Sequence, residues 1–256
     1  METVLITGAS SGIGLELAKL FAADKSNLVL VARRADRLTT LAEELQRQHG
    51  ITAQVLTKDL ARPEAPREIF DELKQKNVEI DVVVNNAGFG SLGSISNLDL
   101  QRQLDMIQVN IMALVHLTRL FLSGMIERNR GGILNVGSTA AFQPGPYLAV
   151  YYASKAFVLH FTEGLAEELK GKNIQVSCLC PGPTVTEFAA QAHMKSAPLF
   201  RLGSMSGEAV ARIGYQGFRH GKVVVIPGIK NKLGTLGVRL APRFVVRKIT
   251  KKLQGG

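Results

Sequence analysis

The run Thr3-Val4-Leu5-Ile6-Thr7-Gly8-Ala9-Ser10-Ser11-Gly12-Ile13-Gly14 decides how this chain folds. Five residues of β character stop at a glycine and two more glycines follow. Leu15, Leu17, Ala18 and Leu20 then recur at helical spacing. A strand that turns into a helix through glycines leaves main-chain N–H groups and a partly positive helix N-terminus at one spot, where a pyrophosphate can come close. Glycine triplets are common in turns; the place of this one, between a first strand and a first helix, gives it weight.

Outward from that turn, strand and helix alternate. β-branched runs lie at 3–7, 28–31, 52–56, 81–84, 132–136, 174–179 and 222–226, with helical periodicity at 12–24, 35–48, 64–76, 100–127, 151–170 and 207–219. Strands apolar almost throughout are those of a parallel sheet covered on both faces. The fold expected is α/β: a Rossmann-like, doubly wound parallel sheet of about seven strands in three layers, α/β/α. Residues 1–228 read as one dinucleotide-binding catalytic domain. Within it, 184–206 (Glu187 to Ala190, then Ala197 to Phe200) interrupts the alternation after a strand end and is expected as a flap over a site, or else an ordinary surface helix and loop.

Composition narrows the class. A chain of 256 residues with 46% hydrophobic and 20% charged residues is globular rather than disordered. It holds no run of about 18 uncharged apolar residues, so no bilayer-spanning helix is expected, and its first residues do not resemble a signal peptide. Cys178 and Cys180 fall on one face of a strand and read as reduced core thiols of a cytoplasmic protein, with no metal site. The net charge of +10 is local: ten basic and no acidic residues lie from Arg219 onward, and the first 218 positions carry 21 of each sign. That neutral body, without a nucleic-acid motif, argues against a nucleic-acid partner.

The second strand ends Val31-Ala32-Arg33-Arg34. A carboxylate at this tip would bind the ribose 2′-hydroxyl of NAD, whereas arginines accommodate a 2′-phosphate. Arg33 and Arg34 therefore favour NADP(H) as cofactor, the other reading being two solvated surface cations. Arg37 reads as an ordinary surface residue of the following helix.

With the motifs that follow, the chain resembles the short-chain dehydrogenase/reductase family, in a bacterial group of broad or unassigned specificity related to 3-oxoacyl and hydroxysteroid reductases. Thr7 to Gly14 matches the first fingerprint, and Asn85-Asn86-Ala87-Gly88 the second. Tyr151-Tyr152-Ala153-Ser154-Lys155 matches Tyr-x-x-x-Lys, and Pro181-Gly182 with Thr186 matches the segment beside the nicotinamide. The resemblance covers residues 3 to about 227 and implies a catalytic set of Asn110, Ser138, Tyr151 and Lys155. It implies cofactor contacts from Gly8, Ser10, Ser11, Gly12, Ile13, Gly14, Arg33, Arg34, Asp59, Leu60, Asn86, Ala87, Gly88, Tyr151, Lys155, Pro181, Gly182, Thr184 and Thr186. Lys155 would also hold the nicotinamide ribose, Ser138 the substrate oxygen, and Asn110 a water in a proton relay. Spacing alone places Tyr151 and Lys155 on one helix face, where an ammonium can stabilise a phenolate. Tyr152 does not fit the motif and reads as packing or an interface. Family members assemble as homodimers or homotetramers through the helices at 100–127 and 151–170.

The function expected is hydride transfer between NADP(H) and a carbonyl or secondary alcohol. Candidate walls are Phe89, Gly90, Ser91, Leu92, Ala140, Ala141, Phe142, Gln143, Pro144, Tyr147, Pro183, Phe188 and the flap to Phe200. They are mostly apolar, with no arginine pair to grip a small carboxylate, so a fatty-acyl, steroid-like or other lipid-like substrate is expected. A non-catalytic NADP sensor, or a lipid-binding protein of the membrane surface, is the alternative on the same fold.

Residues 229–256 form a basic C-terminal extension. Pro242 can open a helix in which Val245, Val246, Ile249 and Leu253 form a stripe away from Arg243, Arg247, Lys248, Lys251 and Lys252. Leu233, Leu236 and Leu240 are spaced for another helical face. The sequence leaves open whether this extension docks on its own domain, on an anionic membrane surface or on an acidic partner.

Overall fold

The computed structural model describes residues 1–187 and 203–254. Seven strands, β1 (Thr3–Thr7), β2 (Asn27–Ala32), β3 (Ala53–Thr57), β4 (Val82–Asn85), β5 (Gly131–Val136), β6 (Ile174–Leu179) and β9 (Val224–Val225), form a parallel sheet in the order β3-β2-β1-β4-β5-β6-β9. β7 (Thr184–Val185) pairs with β8 (Met205–Ser206) beside it. The helices are α1 (Gly12–Ala23), α2 (Ala35–His49), α3 (Ala65–Gln75), α4 (Leu100–Ile107), α5 (Ala113–Glu127), α6 (Ala149–Glu168), α7 (Gly207–Arg219), α8 (Ile229–Leu240) and α9 (Arg243–Leu253).

Period two in the strands sorts the core into two apolar layers. Val4 and Ile6 of β1 face α1, α2 and α7, where Leu17, Phe21, Leu38, Leu41, Val210 and Phe218 are buried. Leu5 faces the other way, toward Ile69 and Leu73 of α3, Leu117 and Phe121 of α5, and Leu165 of α6. This is the three-layer doubly wound architecture that the alternation predicts.

A buried polar ladder crosses the second layer. Asn85 Nδ2 donates to Asn135 Oδ1 (2.9 Å) and Thr118 Oγ1 (3.1 Å), and Asn135 Nδ2 donates to Thr162 Oγ1 (2.9 Å). Asn85 and Asn135 are register partners on β4 and β5, so the ladder ties the sheet to α5 and α6. It also makes a one-residue slip costly, because each amide would then lose its partner.

Two expectations differ from the structure. By length and composition alone the stretch 100–127 could cross a bilayer, since an 18-residue window within it has a mean hydropathy of 1.5. In this fold the stretch is a crossover that packs Ala113, Leu117, Phe121 and Met125 beside the sheet. The second concerns the C-terminal helix: Val246, Thr250 and Gln254 face inward, while Ile249 is 54% exposed, because the docked face is centred one turn-step away from the purely apolar stripe. The expected flap lies largely outside the described residues, Phe188, Ala189, Ala190, Ala197, Pro198, Leu199 and Phe200 included.

Replacing Asn135 with Ala should leave Asn85 and Thr162 short of a buried partner, at a cost of about 1–3 kcal/mol. The midpoint of urea unfolding should fall accordingly.

Candidate active site

The sheet order reverses between β1 and β4, and the loops leaving their C-terminal ends diverge there. A cleft of about 730 Å³ opens at that point. Gly8 turns with φ +66°, a left-handed conformation that suits glycine, and α1 starts directly beneath. The N-cap residue of α1, Ser11, makes no side-chain capping bond, so the helix leaves its first N–H groups to the cleft that Ser10, Ser11, Gly12 and Ile13 line.

Asn86 holds this turn from β4. Its Nδ2 donates to the carbonyls of Thr7 (2.9 Å) and Gly8 (3.2 Å), while Thr7 Oγ1 accepts from the N–H of Asn86 and of Ala87, both at 3.0 Å. Gly14 does not line the cleft. It packs behind it, where an added Cβ would stand 2.3 Å from Asn86 Nδ2 and 2.5 Å from the Gly8 carbonyl oxygen. The first and second glycines of the pattern shape the wall; the third permits close packing.

At the far end of the cleft lie Arg33, Arg34, Asp59 and Leu60. Arg34 is anchored to the phosphate loop: Nη2 donates to Ser10 Oγ at 3.1 Å and Nη1 pairs with Glu187 at 2.8 Å. Arg37 pairs with the other oxygen of Glu187 at 2.5 Å. Arg37 is an exposed residue of α2 that shares Glu187 with Arg34. Glu187 was missed because it is 153 and 150 positions away from Arg34 and Arg37 in the chain. Asp59 Oδ1 accepts the N–H of Ala61 (3.0 Å), fixing the turn that presents Leu60.

At the other end stand Ser138, Tyr151 and Lys155. Ser138 ends the loop after β5, with Oγ accepting the Ala140 N–H (3.0 Å) and hydrogen-bonded to the Tyr151 hydroxyl. Lys155 Nζ donates to the Val136 carbonyl (2.7 Å) and lies 5.9 Å from the centroid of the Tyr151 ring. Both side chains are nearly inaccessible to solvent. Burial raises the Tyr151 phenol well above its ordinary value, offset in part by the Ser138 bond. Burial also pushes the Lys155 ammonium down to about 8. Desolvation thus outweighs the Ser138 bond, and the phenol stays protonated across the neutral range.

Asn110 occupies a π-helical turn, Gln108–Met112, between α4 and α5. Such turns often mark functional positions. Its Oδ1 accepts from Phe89 N–H (3.1 Å), and Nδ2 donates to the Phe89 carbonyl and to Ser154 Oγ, both at 3.0 Å. Both amide hydrogens are used, which leaves one lone pair of Oδ1 as the side chain's remaining capacity. Asn110 stands behind the wall and clamps the loop after β4 to α6. Gly88 leaves room beside it: a Cβ there would come within 3.0 Å of Asn110 Oδ1 and 3.4 Å of Lys155 Nζ.

Ala87, Pro181, Gly182, Thr184 and Thr186 line the cleft, with Phe89, Ala140, Gln143 and Pro183 of the expected walls. Ser91 and Tyr147 line an adjoining cavity of about 230 Å³ instead. Gly90, Leu92, Ala141, Phe142 and Pro144 line neither. The lining also takes in residues outside the expected walls, among them Asp99, Gln101, Asp105, Tyr152 and Arg102. Tyr152, beside Tyr151, is buried, and its hydroxyl accepts from Gln254 Nε2 at 2.5 Å. Arg102 lies over the Phe89 ring, 5.2 Å from its centroid.

A family model described as short chain dehydrogenase matches residues 2–197. Among curated relatives, a very-long-chain 3-oxoacyl-CoA reductase of Anas platyrhynchos is 37% identical over 191 residues, covering 72% of this chain and 60% of that protein. Sulfoacetaldehyde reductase 2 of Chromohalobacter salexigens is 40% identical over 189 residues, covering 73% and 74%. The structure of a short-chain dehydrogenase from Sphingobium yanoikuyae in complex with NADPH superposes with a TM-score of 0.84 at 32% identity, over 94% of each chain.

Replacing Gly14 with Ala forces a Cβ into the Asn86 amide and a backbone carbonyl, an overpacking of about 1–3 kcal/mol. Dinucleotide affinity, read by fluorescence titration, should fall by about tenfold, with a lowered melting temperature.

Proposed function

This chain belongs to the short-chain dehydrogenase family, and on that footing we propose that it is an NADP(H)-dependent oxidoreductase that reduces a hydrophobic carbonyl compound to its secondary alcohol. The observation that carries the reading is the set Ser138, Tyr151 and Lys155 at one end of a cleft whose other end is a glycine-turned helix N-terminus. The cleft fits a dinucleotide: Gly8 and Gly12 keep side chains off the loop, and the uncapped start of α1 faces the position a pyrophosphate would take. Arg34, with Arg33 beside it, supplies positive charge for a 2′-phosphate, and the NADPH complex of the Sphingobium relative supports that preference. The nicotinamide, when bound, supplies the hydride.

The chain's own residues handle position and protons. Ser138 Oγ, already bonded to the Tyr151 hydroxyl, orients the substrate oxygen beside it. The Tyr151 phenol gives its proton to that oxygen as negative charge develops there. Burial keeps the phenol in its acid form, which supports the reducing direction. The Lys155 ammonium steadies the phenolate left behind and holds the cofactor ribose. Asn110 positions the loop after β4 and, through its remaining lone pair, a water that returns the proton. Phe89, Ala140 and Pro183, with the apolar rim of the adjoining cavity, support a substrate with an apolar body. Outward Leu104, Ile107, Met112 and Phe157 on α4, the π-turn and α6 support assembly into a homodimer or homotetramer.

With NADPH and NADH offered in parallel against long-chain 3-oxoacyl thioesters, steroids and aromatic ketones, turnover should favour NADPH. The double substitution Arg33→Ala/Arg34→Ala should raise KM for NADPH and leave that for NADH unchanged. A preference for NADH, or turnover of small polar hydroxy acids alone, would refute the reading.

Tyr151→Phe should lower kcat by about 10²–10⁴-fold while NADPH still quenches fluorescence on binding. Because the working form of Lys155 is the ammonium and its pKa is depressed to about 8, kcat/KM for reduction should fall as pH rises above about 8. A flat alkaline profile would remove Lys155 from the proton chemistry.

A further inference from the structure

The C-terminal helices turn the wrong way for a simple core extension. On α8, Ile229, Leu233, Leu236 and Leu240 are 75%, 63%, 55% and 80% exposed. Their spacing of four, three and four places them in a single stripe. Thr235, on the opposite face, is the buried residue of α8. Phe244, at the start of α9, is 57% exposed and extends the apolar surface across the bend at Pro242.

The cations surround that stripe. Lys230, Lys232, Arg239, Arg243, Arg247, Lys248, Lys251 and Lys252 are all exposed, and none forms an ion pair among the described residues. Arg219 is different: Glu2 neutralises it, with N–O distances of 2.9 and 2.6 Å. Apart from Lys222, the surplus of basic residues beyond Arg219 therefore lies on α8 and α9, the helices that also carry the exposed leucines and Phe244.

The inner faces are docked. Gln254 donates to Tyr152, Asn231 fills the space over Gly182, and the Lys251 ammonium lies 5.9 Å from the Tyr147 ring centroid. All three contacts reach the substrate end of the site, so the outer surface of α8 and α9 lies beside the cleft's mouth.

We propose that α8 and α9 form a peripheral docking surface for an anionic lipid bilayer, with the leucine stripe entering the interface and the exposed cations other than Lys251 meeting the headgroups. Charge complementarity selects this occupant. A second copy of the chain would bring the same cations against themselves, whereas an anionic surface compensates them and accepts apolar side chains at the same depth. The proposal goes beyond the catalytic reading, and its test needs no turnover.

Full-length protein is sedimented with vesicles of phosphatidylcholine alone and with phosphatidylglycerol added. Recovery with the anionic vesicles is expected, little with the neutral ones, and release as salt screens the charges. Two full-length variants, Leu233→Ser/Leu236→Ser and Lys248→Glu/Lys252→Glu, should each lower the bound fraction by about tenfold, with unchanged melting temperature and NADPH binding. Equal recovery on both vesicle types, no recovery, or variants that bind like the parent would overturn the proposal. So would light scattering in which the leucine variant splits an oligomer while vesicle binding persists, because the stripe would then be an interface between copies.

Discussion

One side-chain amide holds the functional end of this molecule together. Asn86 leaves β4 and donates to two carbonyls at the end of β1, while Thr7 accepts the N–H groups of Asn86 and Ala87 in return. These four bonds join the two loops that diverge at the point where the sheet order reverses. They fix the height of the glycine turn, hence the direction of α1 and the position of its N-terminus. Gly14 is packed so closely beneath them that even a methyl group would displace the arrangement. The cleft is as deep as these bonds allow.

At the reactive end, burial and charge pull in opposite directions, and burial is the stronger. An ammonium near a phenol favours the phenolate, yet Lys155 is turned toward the Val136 carbonyl and both groups are cut off from water. Desolvation disfavours either charge, raising the phenol and lowering the ammonium. The pair is thereby set as a held acid beside a cation that gives up its proton more readily than an ordinary lysine.

Most of the fold and much of the site were legible in the chain. Alternating apolar runs with intervening helical periodicity are a local signal, and they specify a parallel sheet because only helices on both faces can cover strands apolar throughout. The glycine turn, the second-strand arginines and the Tyr-Lys pair are also local. The residues missed share another character. Glu187 meets Arg34 and Arg37 across 153 and 150 positions, and Gln254 meets Tyr152 across 102. Nothing in the local pattern of either partner marks such a contact. The outward turn of Ile249 was left open for a related reason: helical periodicity says which residues share a face, and the neighbour that the face meets decides which way it points.

The sequence by itself determined the order of strands and helices, the glycine-turned start of α1 and the confinement of surplus charge to the last 38 residues. Each follows from residue type and spacing over a few turns of chain. Only the tertiary structure decided that Asn110 clamps the loop after β4, that Gly14 lies behind the cleft wall, that Arg37 shares Glu187 with Arg34, and that the α8 leucines face outward. The physical reason is common to all four. Burial, hydrogen-bond partnership and exposure are properties of what lies opposite a side chain, and in a doubly wound sheet the opposite residue is brought there by a crossover.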